Sequence, residues 1–491
     1  MTREEKLDYL SNNNSIASKE INWQLLTPDE HGDWLNKRVG GDYDTYPRIG
    51  DKKDKSGEVN KVFCDNYSNG LKTNRDAWCY NYSNKALHNN IIACINFYNK
   101  QRESMANKEH NAIDRDPTRF SWTRSTEGYL NKNITIEVDK GYFVNSIYRP
   151  FVRCNCYYSK LLNEVPGQWP IIFPVTHIHS NSISNHNRVI IIESPGARKP
   201  FSCFITNCIT DLHLMEAAQC FPLYVYDTDE KPKPKEQRSL FGAASSPSPI
   251  GRGGDVTAQA VTEGVRSGIT DWILDYVNKK YNLVTSSPSP IGRGGQGGEV
   301  TKEDIFYYVY GILHCPSYRE KYQNDFKKAL PRIPFVERYE DFVAFMKAGR
   351  ELGDLHCNYE SCPMNTTAKV YFDQVPLAFG EGDLGGEAYI IDKLRPVGKG
   401  NFTELKYNGH ITIKNIPPEA HEYIVNGRSP LGWIIDQYQV SIDKDSGIKN
   451  DPNDWCREHG NPRYILELIL RVIEVSVRTM AIVKALPKVV V

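Results

Sequence analysis

One stretch constrains the fold more than any other: residues 301–335, TKEDIFYYVYGILHCPSYREKYQNDFKKALPRIPF. Thr301 followed by Glu303 and Asp304 is a helix start, an oxygen cap with acids near the positive end of the helix dipole. Ile305, Tyr308, Val309, Ile312 and Leu313 recur at i, i+3 and i+4 and draw one apolar helical face. Cys315-Pro316-Ser317 stops that helix, because the residue before a proline leaves the α region and proline has no amide to donate. A second helix is predicted over Tyr318 to Leu330, carrying Arg319, Lys321, Lys327 and Lys328, and ended by Pro331 and Pro334. Taken alone, the pattern describes an αα-hairpin inside a core.

A chain of 491 residues has room for two or three domains around that hairpin. The net charge is +0, so a nucleic-acid surface would have to be local, a cluster offset by acids elsewhere. The 12 cysteines are scattered without a paired framework, and MTREEKLDYL at the start holds no apolar signal region. The most apolar run, Tyr464 to Val475, carries Glu467, Arg471 and Glu474 and reads as an amphipathic helix within Pro462–Lys484. A cytoplasmic protein with no membrane span is expected.

Along the chain, a helix is expected from Ser83 to Lys100, with Leu87, Ile91, Ile95 and Tyr98 on one face. Lys72 and Arg75 beside Trp78 could meet a phosphate or simply sit in a solvated loop. Short apolar runs then predict strands: Ile134–Val138, Tyr142–Phe151, Cys156–Tyr158, Pro170–Val175 and Arg188–Ser194, with Phe201–Ile209 and Phe221–Tyr226 extending the same sheet. Residues 231–300 read as a linker. SSPSPIGRGG occurs at 245–254 and again at 286–295, too rich in Pro and Gly to pack a core and too few copies for a solenoid, so both copies are expected to be disordered insertions. Between them a helix with Ile269, Trp272, Ile273 and Val277 is expected to pack beneath the hairpin. Beyond it come an amphipathic helix from Tyr339 to His356 and a second small sheet from AKVYF, AYIID, FTELKY and HITIKNI.

Catalytic patterns are weak. Pro417-Pro418 is preceded by Ile416 and followed by Glu419, not by the aromatic that an adenine methyltransferase needs to hold a flipped base. The glycine-rich Ala378–Gly386 is followed by strand-like residues rather than a helix, and no Walker sequence is present. Glu404-Leu405-Lys406 after Asp383 imitates a nuclease triplet that occurs by chance in many chains. His177, His179 and His186, or Cys357 and Cys362, lack the paired spacing of structural zinc sites.

Several longer stretches resemble one family closely. IFYYVYGILHCPSYREKY with LPRIPF, WCYNYSNKAL (78–87), YRPFVRCNCYY (148–158), DLHLMEAAQCFPLYVYD (211–227) and GWIIDQYQVSIDKDSGIKNDPNDW (432–455) are similar to the C-terminal specificity region of type ISP restriction-modification enzymes. The resemblance implies an α+β fold of mixed sheets with packed helices, like a target-recognition domain. It implies a methyltransferase tail or helical connector over 1–120, a first lobe over 121–230, the linker over 231–300, and the hairpin with a second lobe over 301–491. Double-stranded DNA would be the partner, with methyltransferase and helicase–nuclease parts encoded elsewhere. No cofactor is expected in this chain, S-adenosylmethionine belonging to the partner methyltransferase domain. The alternative is an active fragment of an adenine-specific DNA methyltransferase or nuclease. Arginine, lysine and asparagine read base edges and phosphates. On that ground the candidate contacts are Arg149 and Arg153 around Pro150-Phe151, Arg198 and Lys199 after Pro195-Gly196, Arg319, Lys327 and Lys328 on the hairpin, and Lys444, Lys449 and Asn450 in the DKDSGIKNDPND loop.

Overall fold

Strand Val189–Ile192 is where the two cores of the molecule meet. The computed structural model describes residues 2–13, 16–54, 57–107, 112–174, 187–227, 264–283, 300–377, 384–398 and 401–489. Both SSPSPIGRGG copies, His177, His179, His186 and Ala378–Asp383 lie outside the described residues. In the described part the strand runs antiparallel between Cys203–Thr206 and Gln219–Pro222, and Ser68–Asn69 completes this inner sheet. Val189, Ile191, Phe204 and Cys220 face one core, while Ile190, Ile192, Cys203, Ile205 and Phe221 face the other. An unbroken apolar run is what a strand needs when neither face meets water.

One core is organised by the predicted hairpin. Thr301 caps the helix Lys302–His314 in a capping box with Asp304, and Pro316 opens the next helix, Pro316–Phe326. The second helix is shorter than its pattern suggests. It kinks at Tyr322 (φ −109°, ψ 15°) so that Tyr318, Tyr322 and Phe326 are all buried, and Tyr322 stacks on Tyr43 with ring centroids 4.3 Å apart. Helix Asp271–Lys280 places Ile273 and Val277 in the same core, as expected. Helix Tyr339–Cys357 crosses Lys302–His314 at glycines: a methyl group on Gly349 would collide with the Tyr307 carbonyl oxygen, and one on Gly311 with that of Phe345. The helices touch backbone to backbone there.

The other core holds a second sheet, Tyr80–Asn81, Val152–Tyr158, Tyr142–Arg149 and Ile209–Thr210, antiparallel except for its last pair. The apolar runs between 142 and 226 thus divide among separate sheets rather than extending one. Two strands predicted in this part of the chain are absent. Ile134–Val138 has its backbone bonded by a side chain of the long helix Asn84–Ala106, since Asn99 both donates to the Ile136 carbonyl (2.7 Å) and accepts from its amide (3.2 Å). An amide side chain there replaces a neighbouring strand. At Pro170 the chain forms a helical turn, Trp169–Ile172, because proline suits a first turn and cannot donate to a ladder.

A five-stranded antiparallel sheet forms the outer layer: Val375–Pro376, Lys369–Phe372, Ile411–Lys414, Asn401–Lys406 and Arg395–Gly398 in spatial order. Val370, Leu405, Ile411 and Ile413 bury its inner face. The AYIID segment ends a 3-10 turn, Gly386–Tyr389, instead of forming a strand. Helix Tyr464–Lys484 packs behind, and its Thr479 hydroxyl meets His356 Nε2 at 2.8 Å. Among the described residues no helix is long and apolar enough to cross a membrane.

Candidate nucleic-acid interface

The turn leaving the inner sheet and the second hairpin helix enclose a cleft of about 440 Å³ that gathers four of the candidate residues, Arg198, Lys199, Arg319 and Lys327. Its geometry follows from local sequence. Gly196 takes φ +90°, which a side chain would resist, and its amide donates to the Lys327 carbonyl at 2.8 Å, holding the turn against the helix end. Phe201 packs on Phe326 (ring centroids 4.5 Å) below it. Arg319 and Gln323, four residues apart on the kinked helix, and Lys327 at its C-cap all line the cleft.

The four cations differ in what they can offer. Arg198 is exposed, and neither its guanidinium nor the Lys327 ammonium bonds to any described residue. Lys199 donates to the Asn426 carbonyl (2.9 Å) and Oδ1 (2.8 Å) and braces the turn. Arg319 is half-buried, donating to the Leu313 carbonyl and Cys203 Sγ while its guanidinium lies over Phe201. Two acids line the cleft, the exposed Glu320 on the helix and Glu193, 4% exposed, whose carboxylate accepts from the Ser202 amide and hydroxyl. Burial pushes the Glu193 pKa up to about 7, with the Ser202 hydrogen bonds and nearby Arg319 pulling the other way. Glu193 and Gln323 were not singled out in the sequence. Gln323 was legible from its i+4 spacing between two basic residues, whereas Glu193 gains its character only from burial.

The structure does not bring the remaining candidates to this cleft. Phe151 takes φ +62° at a hairpin tip that is fully buried against the Phe204, Tyr359 and Tyr423 rings, so the flanking arginines turn inward. Arg149 pairs with buried Asp211 at 2.6 Å and stacks on Tyr148; Arg153 pairs with Glu360 at 2.9 Å and donates to the Cys357 carbonyl. Both are structural ion pairs in this fold, because the turn they flank points into the core. Arg75 is likewise buried, bonded to the Ser121 carbonyl and the Thr123 hydroxyl, which leaves Lys72 alone on a small cleft with Asp76, Asp211 and His213. Lys328 pairs with Asp33 at 3.1 Å, and Lys449 with Asp451 at 2.9 Å. Asn450 Oδ1 accepts from the Tyr82 amide at 2.9 Å. Lys444 is exposed between Asp443 and Asp445 on a hairpin tip. Among the described residues no cluster of His, Cys, Asp and Glu could hold a metal ion, and Cys357 and Cys362 are free thiols.

A family model described as the type ISP C-terminal specificity domain matches residues 61–468. Over its whole length the chain is similar to a nuclease-deletion mutant of the type ISP restriction-modification enzyme LlaGI, solved in complex with a DNA substrate mimic (30% identity, TM-score 0.75, 38% of that chain). It is equally similar over its whole length to the ATP-dependent type ISP restriction-modification enzyme LlaBIII bound to DNA (30% identity, TM-score 0.76, 27% of that chain). A DrdV–DNA complex matches over 99% of this chain (26% identity, TM-score 0.73, 42% of that one). No curated protein matches. The chain therefore spans well under half the length of these solved relatives.

Proposed function

Because the chain belongs to the type ISP C-terminal specificity domain family, we propose that it recognises a short duplex DNA sequence for a restriction-modification enzyme, directing adenine methylation and restriction by partner parts. The observation that carries this reading is the family match over residues 61–468, joined to whole-length likeness to enzymes solved on DNA. The cleft of Arg198, Arg319, Gln323 and Lys327 supports it, offering two cations without internal partners beside an amide able to meet a base or a phosphate. On this reading a methyltransferase part binds S-adenosylmethionine and flips the target adenine, a helicase–nuclease part cuts, and all act on cytoplasmic DNA. This chain supplies the sequence-reading surface and no reacting group.

The test is a titration of labelled duplexes at two salt concentrations against the wild type and Arg198→Gln/Lys327→Gln. Each lost phosphate contact should make the dependence of log K on log salt shallower by about 0.9. A wild type that is folded yet binds no duplex overturns the reading. Incubation with S-adenosylmethionine and mixed-sequence duplex should give no methyl transfer above a heat-killed control. Transfer by this chain would favour the alternative of an active methyltransferase fragment.

A further inference from the structure

We propose that the outer face of the five-stranded sheet is a second DNA-contacting surface that grips duplex phosphates, separate from the cleft beside Arg198. The argument comes from strand register. Arg395 stands directly opposite Lys406, Lys406 opposite Thr412, and Thr412 opposite Tyr371, so these four side chains form one row across the sheet. Two residues along, Lys369 stands directly opposite Lys414 on the same face. The buried Val370, Leu405 and Ile413 alternate with them and fix this face as the outward one.

Among the described residues these four cations share their face with one acid, Glu404, and with the Asp373–His410 pair (2.9 Å) at its border. None of the four forms an ion pair with any described residue. Lys369 donates to the Thr366 carbonyl, Lys414 to Gln374 Oε1 while lying over the Tyr371 ring, and Arg395 and Lys406 bond to nothing described. Arg48, Arg149, Arg153, Arg188 and Arg350, by contrast, all have carboxylate partners. Like charges placed directly opposite on a sheet destabilise it. Two such pairs on one exposed face of an electrically neutral chain are what a polyanion would neutralise, and the exposed Phe402 (54%) and partly exposed Tyr371 give it apolar contacts beside the phosphates.

The inference rests on the DNA reading above and fails separately from it. The experiment compares four proteins on one labelled duplex across a salt series: the wild type, the cleft variant Arg198→Gln/Lys327→Gln, the sheet variant Lys369→Gln/Arg395→Gln/Lys406→Gln/Lys414→Gln, and their combination. The sheet variant should bind at least about tenfold more weakly near 0.1 M salt, with a salt slope shallower by about 2–4. Its melting temperature should be unchanged or higher than wild type, because the like-charge pairs are gone. Equal binding and equal slope in the sheet variant would overturn this inference while leaving the cleft reading intact. A lowered melting temperature would make the cations structural and overturn it as well. If the wild type binds no duplex, the family-level function falls first.

Discussion

The inner and outer sheets are both antiparallel, yet they treat charge in opposite ways. The inner sheet has a core on each face, and the first residue beyond its central strand, Glu193, is an acid held with its two oxygens bonded to Ser202. The outer sheet buries Val370, Leu405 and Ile413 on one side and leaves Arg395, Lys406, Lys369 and Lys414 without acidic partners on the other. A cation inside this protein is always matched or bonded, because an unmatched buried charge costs several kcal/mol. A cation on the outer face tolerates lacking a partner because water screens it. The difference separates basic residues that hold the fold from those free to meet a ligand, which residue type alone does not.

The sharpest way to break that distinction is Arg149→Met. It strips the partner from Asp211, a carboxylate only 1% exposed, and should destabilise the chain by about 3–5 kcal/mol in denaturant unfolding. A variant as stable as wild type would show that Arg149 is dispensable to the fold after all, and would return it to the list of possible DNA contacts. Next in size is Gly349→Ala. Its added methyl meets the Tyr307 carbonyl oxygen, backbone that cannot swing aside, so the helices must separate at a cost of about 1–3 kcal/mol, read as a lowered unfolding midpoint. Ala in place of the exposed Gly409, where a Cβ meets nothing within 4 Å, provides the control.

Much of this architecture was legible in the sequence. The Thr301 cap with Asp304, the stop at Cys315-Pro316, the long helix after Ser83 and the uninterrupted VIII run all form as their patterns imply. Those signals are local, set by neighbours within four residues. What failed depended on partners far away in the chain. Ile134–Val138 alternates like a strand, yet Asn99 bonds its backbone first. Arg149 and Arg153 flank a proline turn that looks exposed, until Phe151 is found buried among three rings. The row Arg395–Lys406–Thr412–Tyr371 could not be seen at all, because only the register of four strands places those residues side by side. At the cleft, Arg198, Lys199, Arg319 and Lys327 were named from type and turn context, and the fold brought them together from segments more than a hundred residues apart.

The smallest expected effect concerns the acid of the inner sheet. Burial raises the Glu193 pKa to about 7, whereas the unfolded chain should show the ordinary value near 4.5. A carboxyl raised on folding favours the folded state below its unfolded pKa, and that contribution is lost as pH climbs through about 7. Glu193→Gln removes the titration while an amide oxygen can still accept from the Ser202 amide and hydroxyl. Relative to wild type, the variant should therefore gain stability with rising pH, by about 1–2 kcal/mol between pH 6 and pH 8, as the wild type begins to bear a buried charge. Thermal melts of both proteins at the two pH values measure the change. A difference that stays flat across that range would mean that Glu193 is ionised throughout, compensated by the cleft cations. Arg319 would then belong with the matched charges of the interior rather than with the free ones beside it.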